Sequence, residues 1–192
     1  MGRRKEIFEK GSVFHIFNRG CNKEKIFFHN DNYCFLLEKL KIYSNEFEVS
    51  VIAYCLMPNH YHLILKQNSE HPLSKCLQHT FNSYTKAINK RYRRSGTLFE
   101  GKYKAREIYD TKTILEVSRY VRRNPLDGGL VKNIEDWRYS NYHEWIGSRD
   151  GSLCDNKFRK THFPNPDDYK KYVLDYYSFK QMINDLKKLK YI

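Results

Sequence analysis

Residues 50–66 read SVIAYCLMPNHYHLILK and contain two apolar runs separated by Pro58-Asn59. Two such runs around a two-residue break predict adjacent strands of one sheet. Successive side chains of a strand point to opposite faces, so His60 and His62 are expected to share one face, about 7 Å apart at Cα. Two imidazoles are therefore expected to point the same way from the second strand.

The paired histidines have a spacing that suits a metal ion. Two imidazoles on one strand face could converge on one ion and would leave coordination positions for a third ligand, water and substrate. The alternative is that both side chains lie at the sheet surface and bind nothing. The H-x-H pattern of His60 and His62 does not by itself choose between the two interpretations.

The composition predicts a globular protein with one hydrophobic core. The chain has 192 residues, and no run approaches the roughly 20 apolar residues of a membrane span. Residues 1–12 lack the apolar segment of a secretory signal. The five cysteines form no C-x-x-C pair, and their odd number favours reduced thiols over a disulfide framework. We therefore expect a cytoplasmic protein that has no membrane partner.

The charge balance predicts a polyanionic partner. The chain carries 35 Lys and Arg against 22 Asp and Glu, a formal net charge of +13, and 16% of its residues are aromatic. Positive charge interleaved with aromatic side chains favours unstacked nucleic acid over a membrane surface. The alternative is a basic surface that is simply well solvated.

Hydrophobic periodicity predicts one further strand and three helices before residue 125. The strand at residues 12–18 places His15 on the same face as Val13 and Phe17. His15 could line a site there, although a histidine that is hydrogen-bonded at the edge of the core is the preferred interpretation. The helices are expected at residues 30–44, capped by Asn30 or Asp31, at 73–94, and from Asp110 or Thr111 to Arg123, where Asn124-Pro125 ends the last one.

Positive charges cluster where the second helix ends. The helix carries Lys86, Lys90, Arg91, Arg93 and Arg94 in its last turns, and Lys102, Lys104 and Arg106 follow within the aromatic segment LFEGKYKAREI. A helix C-terminus stabilises cations in any case. The density of charge around a glycine and two aromatic rings nevertheless makes this region the best candidate for contacts with phosphates.

Tyr120 and Asn124 lie one turn apart on the third predicted helix, in register with Glu116, and can face the same neighbour. The chain has 16 tyrosines, so a partly buried helix tyrosine with no chemical role is the alternative interpretation of Tyr120. Residues 147–166 are rich in Gly, Asp and Pro and are expected to form a loop. Residues 167–192 have helical periodicity and could form an accessory element.

Five segments occur in a characteristic order: HIFNRG, LMPNHYHLIL, SYTKAINKRYRRSGTLFEGKYKA, SRYVRRNPLDGGLV and WRYSNY. In this order they resemble the single-tyrosine transposases of the HUH endonuclease superfamily, especially the IS200-like branch that is associated with repetitive extragenic palindromes (REPs). The resemblance covers about residues 12–145. It implies an α+β fold with a central antiparallel sheet flanked by helices, on a ferredoxin-like or RNA-recognition-motif plan. We therefore expect this domain at residues 1–146. The loop and C-terminal helical extension expected at 147–192 follow from composition and periodicity, and the 167–192 tail lies outside the resemblance.

The same resemblance implies the chemistry of the site. Tyr120 takes the position of the nucleophile, and His60, His62 and Asn124 take those of the metal ligands, with Mg²⁺ or Mn²⁺ as the divalent ion. Tyr61 replaces the bulky apolar residue that relatives commonly have between the two histidines. The activity implied is a single-stranded DNA endonuclease and strand transferase that forms a 5′-phosphotyrosine.

The implied partner is single-stranded DNA that folds into an imperfect palindromic hairpin. The candidate DNA contacts are Arg19, Lys90, Arg91, Arg93, Arg94, Lys102, Lys104 and Arg106. A bacterial, nucleoid-associated protein that is a monomer or a homodimer is expected. Two alternatives remain: a non-catalytic, domesticated protein that binds hairpins, and a metal-dependent RNA nuclease.

Overall fold

The structure is a computed structural model and describes residues 8–192. The first seven residues of the expected 1–146 domain lie outside it. They include most of the segment that was examined for a secretory signal. A four-stranded antiparallel sheet forms its centre in the order β2-β3-β1-β4. The strands are β1 (Val13–Arg19), β2 (Val49–Met57), β3 (His60–Gln67) and β4 (Lys104–Ile108). With one helix between β1 and β2 and another between β3 and β4, this is the ferredoxin-like plan, and the predicted fold class is confirmed.

The strand alternation separates two hydrophobic layers. On β3, Tyr61 and Leu63 belong to the cluster under the first two helices, α1 (Asn30–Glu46) and α2 (Leu73–Arg91). Ile64 belongs to a second cluster on the opposite face, under α3 (Thr111–Asp127). His60 and His62 therefore lie on the α3 face, as the period of two requires.

The ends of the first two helices differ from the sequence expectation. His29 occupies the N-cap position of α1, and the carboxamide oxygen of Asn32 accepts the backbone N–H groups of Phe28 and His29 at 2.9 and 3.1 Å. Asn30 and Asp31, the expected caps, lie inside the helix. Helix α2 ends at Arg91 rather than Arg94, and Arg93 follows with a φ of 49°, which is incompatible with a continuing right-handed helix.

The prediction that Asn124-Pro125 ends α3 was wrong, since the helix continues to Asp127 with Pro125 inside it. Proline lacks only one N–H donor, and in the last turn of a helix that loss removes a single bond. The backbone N–H of Gly128 bonds the Asn124 carbonyl at 2.8 Å beyond the proline. Pro125 is buried, so tertiary packing outweighs the local preference of the residue before proline.

The C-terminal part of the chain is more helical than expected. It forms α4 (Tyr142–Trp145), α5 (Asn156–His162), α6 (Pro166–Leu174) and α7 (Tyr176–Lys188). The carboxylate of Asp155 caps α5, so the prediction of a loop over 147–166 was wrong for residues 156–162. Helices α6 and α7 bury Tyr169, Val173 and Phe179 in the same cluster as α3. The division after residue 146 stays a prediction.

No helix formed by residues 8–192 has both the length and the apolar character needed to cross a membrane.

Candidate active site

The two histidines of β3 lie on the α3 face of the sheet, near the end of the strand that follows the Pro58-Asn59 turn. Their ring centroids are 5.2 Å apart. Burial lowers the pKa of both imidazoles, and for His62 the neighbouring His15 and His60 lower it further. Both side chains are therefore neutral at pH 7, which is the form that can bind a metal ion.

Helix α3 brings Tyr120 and Asn124 to the histidines. The Tyr120 ring stands edge-on to His62, with centroids 5.6 Å apart. The Asn124 amide donates to the Tyr120 carbonyl at 2.9 Å. Its side chain lies close enough to His60 and to the Tyr120 phenol to affect the pKa of each. Burial raises the pKa of Tyr120, while the neighbouring Asn124 side chain opposes that shift. The four residues that the resemblance selects thus converge between β3 and α3.

His15 and Asn59 complete this group. The sequence left His15 as a possible lining residue, with hydrogen bonding at the edge of the core preferred, and it did not single out Asn59. His15 Nε2 lies 3.0 Å from His62 Nδ1, and His15 Nδ1 lies 2.8 Å from the carbonyl oxygen of Tyr191. The Asn59 carboxamide oxygen lies 2.7 Å from His60 Nδ1. The adjacency of Asn59 to His60 in the sequence is a signal for the second contact, whereas nothing in the sequence indicates that residue 191 reaches His15.

A cleft of about 290 Å³ opens beside the histidines. Its lining residues are Phe17, Asn18, Arg19, His60, His62, Glu100 and Lys104. Arg19 forms a two-pronged ion pair with Glu100, whose second contact, Nη2 to Oε1, is 2.9 Å long. Lys104 lies over the Phe17 ring with its Nζ 5.9 Å from the centroid. Two of the predicted DNA-binding residues therefore border the histidine site directly.

The other predicted DNA contacts lie in different surroundings. Arg91 pairs with Asp31 at 3.1 Å and Arg94 with Glu24 at 3.8 Å. Arg106 is turned toward the C-terminal segment, where its Nε donates to the Lys190 carbonyl. Within residues 8–192, no acidic side chain lies within 4 Å of the exposed cations Lys90, Arg93, Lys102 and Lys104, which are the members of the cluster most available to a polyanion.

A family model described as "Transposase IS200 like" matches residues 10–124, which is more than half of the chain. The chain belongs to the IS200-like transposase family. The matched range runs from β1 to Asn124 in the last turns of α3. It therefore includes the two histidines, the tyrosine and the amide that meet in the fold.

Individual relatives of this family match more distantly. A protein of Haemophilus influenzae, provisionally assigned as a REP-associated tyrosine transposase, is 25% identical over 104 residues. These cover 48% of this chain and 58% of the relative, so the chain matches little more than half of that protein's length. A solved structure of a REP-associated tyrosine transposase bound to a REP hairpin superposes with a TM-score of 0.65 at 18% identity, covering 81% of this chain and 94% of the other. The fold is therefore shared. A provisionally named transposase from Deinococcus radiodurans gives a TM-score of 0.43 at 12% identity, covering 64% and 96% of the two chains.

The donor atoms at the IS200-like site suit a divalent ion. Among residues 8–192, no three His, Cys, Asp or Glu side chains are grouped to hold a metal, so the candidate set is two neutral imidazoles and one amide. The Asn124 side chain lies close enough to His60 to raise the pKa of that imidazole, so the amide and the histidine pair border the same space. A set of two nitrogens and one oxygen fits an ion that keeps open positions, and the imidazoles favour Mn²⁺ over Mg²⁺ in affinity.

The buried histidines predict an acid-labile fold. Burial lowers the pKa of His15 to about 4, below the value of about 6.5 for an exposed histidine. Between these values the unfolded chain binds more protons, so stability is complete above pH 6.5 and is lost as the pH falls toward 4. We expect protonation of His15 to lower the free energy of unfolding of the metal-free protein by roughly 3 kcal/mol between pH 6.5 and 4.

Urea denaturation of the wild type and a His15→Gln variant between pH 4 and 8 measures this loss. The difference between the free energies of unfolding of the two proteins should shrink steadily below pH 6.5. Parallel pH profiles for the two proteins would show that His15 does not titrate as described.

Proposed function

We propose that this protein is a metal-dependent single-stranded DNA endonuclease and strand transferase that recognises DNA hairpins and forms a 5′-phosphotyrosine. The observation that carries the proposal is the packing of the Tyr120 ring against the imidazoles of the same chain, with the Asn124 amide bonded to the Tyr120 carbonyl and its side chain beside His60. A candidate nucleophile and a candidate metal site thus meet within one chain. The transposase family to which the chain belongs supports this combination.

The chemical step assigns one role to each group. The Tyr120 oxygen would attack the scissile phosphorus in line, forming the Tyr–phosphate bond while the bond from phosphorus to the 3′ oxygen breaks. The phenol proton is released, and the leaving oxygen becomes a 3′-hydroxyl. A phenol whose pKa is raised by burial is a weak nucleophile at neutral pH, so the phosphate must be strongly polarised. A divalent ion held by His60, His62 and Asn124 would supply that polarisation.

The bond energy is retained in the phosphotyrosine, so a 3′-hydroxyl could reverse the step and rejoin strands without ATP. Single-stranded DNA beside the hairpin would reach the site through the cleft that Arg19 and Lys104 border. Stacking of unpaired bases on aromatic side chains contributes about 1–3 kcal/mol per base in single-strand binding. The half-buried Phe17 ring that lines the cleft and the cations around it would provide both kinds of contact.

A denaturing gel tests this function. The protein is incubated with labelled single-stranded DNA from the inverted repeats that flank its gene, in Mn²⁺, Mg²⁺ or chelator. We expect a slow band of covalent protein–DNA adduct with metal, and none with chelator or with the His60→Ala variant. Hairpin binding without an adduct under every metal condition would instead support the non-catalytic binder, and adduct formation in chelator would contradict the metal site.

Lys90 and Arg93, the exposed cations near the end of α2 that have no acidic side chain of residues 8–192 within 4 Å, lead to a separate prediction about DNA affinity. Each phosphate contact that is lost lowers the slope of log affinity against log salt by about 0.7–0.9. We expect the Lys90→Gln, Arg93→Gln double variant to lower the slope by roughly 1.5 for a hairpin with a single-stranded flank. Fluorescence anisotropy at several salt concentrations measures the slope.

A matched control removes two exposed lysines from α7, through Lys180→Gln and Lys187→Gln. This variant has the same net charge as the double variant in α2. We expect its salt slope to equal that of the wild type. Equal slopes for the two double variants would show that net charge, rather than the cluster at the end of α2, determines binding.

A further inference from the structure

His15 connects the candidate metal site to the C-terminal end of the structure. It is fully buried on β1, and its two ring nitrogens contact the Tyr191 carbonyl on one side and His62 on the other, at 2.8 and 3.0 Å. The His15 and His62 rings are nearly parallel, with an interplanar angle of 22°. A buried chain of hydrogen bonds therefore runs from Tyr191 through His15 to His62.

The direction of these hydrogen bonds follows from chemistry. A carbonyl oxygen can only accept, so His15 Nδ1 must carry the hydrogen that it shares with Tyr191. In a neutral imidazole the other nitrogen, Nε2, is then an acceptor. His62 Nδ1 must therefore be the donor in the bond to His15. This leaves His62 Nε2 with its lone pair free.

We propose that His15 is a positioning residue, which together with the Tyr191 carbonyl holds His62 in the one tautomer whose Nε2 can bind the metal. The role rests on the proposed function, because it requires His62 to be a ligand. Metal-bound histidines usually donate their second ring N–H to a carboxylate, a carbonyl or water, which fixes the tautomer and the ring orientation. Here a second imidazole takes that place, and the C-terminal segment fixes it in turn.

The other candidate ligand shows the same arrangement with a different partner. The Asn59 amide nitrogen donates to the Lys23 carbonyl at 3.1 Å, so its carboxamide oxygen must face His60 Nδ1. His60 is therefore also held with its hydrogen on Nδ1 and its lone pair on Nε2. Both histidines present the same nitrogen, and a purely structural role for His15 would not explain that agreement.

Two substitutions of His15 separate positioning from packing. In His15→Gln the carboxamide keeps a donor for the carbonyl and an acceptor near the position of Nε2, whereas His15→Leu fills a similar volume with neither. We expect calorimetric Mn²⁺ titration to show affinity close to wild type for the glutamine variant and about 10–100-fold weaker for the leucine variant. Equal affinity in the leucine variant and the wild type, with both proteins folded by circular dichroism, would overturn the proposal.

A spectroscopic readout tests the tautomer without metal or DNA. Long-range ¹H–¹⁵N spectra of the histidine rings distinguish a protonated Nδ1 from a protonated Nε2. We expect His62 to carry its hydrogen on Nδ1 alone in the wild type, and on either nitrogen in His15→Leu and in a chain that ends at Leu189. A wild-type His62 protonated on Nε2 would overturn the proposal, and an unchanged His62 in the shortened chain would overturn the part assigned to Tyr191.

The failure of this role can be told apart from the failure of the proposed function. A His62→Ala variant that binds Mn²⁺ as tightly as the wild type would show that His62 is not a ligand, and the proposed function would fail with it. If His62→Ala loses binding but His15→Leu does not, only the role of His15 fails.

Discussion

Replacing Tyr120 with phenylalanine is expected to reduce covalent cleavage of single-stranded DNA by about 10³-fold or more, because removal of a nucleophile has effects of at least that size in other covalent enzymes. The ring contact with His62 is kept in this variant. The phenol oxygen that is lost has the Asn124 side chain as its polar neighbour, and its loss is expected to cost about 1 kcal/mol or less. The variant should therefore fold, bind metal and bind the hairpin as the wild type does.

Single-turnover cleavage of labelled DNA in Mn²⁺, followed on denaturing gels, measures this loss. A Tyr177→Phe variant is the matched control, because Tyr177 on α7 is 87% exposed and its hydroxyl is far less constrained. It should cleave at the wild-type rate. Retention of cleavage in Tyr120→Phe would mean that another of the 16 tyrosines, or water, attacks the phosphate.

Replacing Arg122 with alanine is expected to destabilise the fold by about 3–5 kcal/mol. The guanidinium is fully buried and donates to the Asn141 carboxamide oxygen at 2.9 Å, to the Tyr169 hydroxyl at 2.7 Å and to the Ile52 carbonyl at 3.0 Å. Its centre also lies 3.8 Å from the centroid of the Trp145 ring. Truncation would leave buried acceptors without a donor and a cavity between β2, α3 and α6.

Thermal denaturation measures this loss, which corresponds to a fall in melting temperature of about 6–20 °C for a chain of this size. An Arg122→Lys variant should regain little of the stability that Arg122→Ala loses, because an ammonium group cannot reproduce the planar array of donors of the guanidinium. The control is Arg138→Ala, an exposed position where a change within about 0.5 kcal/mol is expected. Stability of Arg122→Ala within 1 kcal/mol of the wild type would show that this hydrogen-bond network contributes little.

Strand alternation was sufficient to predict the arrangement of the sheet around the site. The residues before and after Pro58-Asn59 form β2 and β3 within one residue of the expected bounds, and the period of two placed both histidines on one face. This worked because successive side chains of a strand point to opposite faces, whatever packs against each face. The helical period likewise aligned Tyr120 with Asn124, and the structure supplies the contact with the histidines.

Features that depend on distant parts of the chain could not be predicted from local sequence patterns. The arginines of α3 resemble a solvated helix face in sequence, yet Arg119, Arg122 and Arg123 are buried because α6 and α7 cover them. The contact of His15 with Tyr191 joins residues 176 positions apart. Pro125 remains inside α3 because packing overrides a local preference. Each of these features is decided by tertiary contacts that no local pattern encodes.

The nucleophile can be identified by mass spectrometry of the covalent adduct. After cleavage in Mn²⁺, nuclease digestion trims the bound DNA, and proteolysis before Asp110 and Asp127 releases residues 110–126, which contain Tyr120 as their single tyrosine. We expect this peptide to carry the mass of a nucleotide on Tyr120 in the wild type and to be unmodified in Tyr120→Phe. A nucleotide found on any other peptide would contradict the assignment of Tyr120 as the nucleophile.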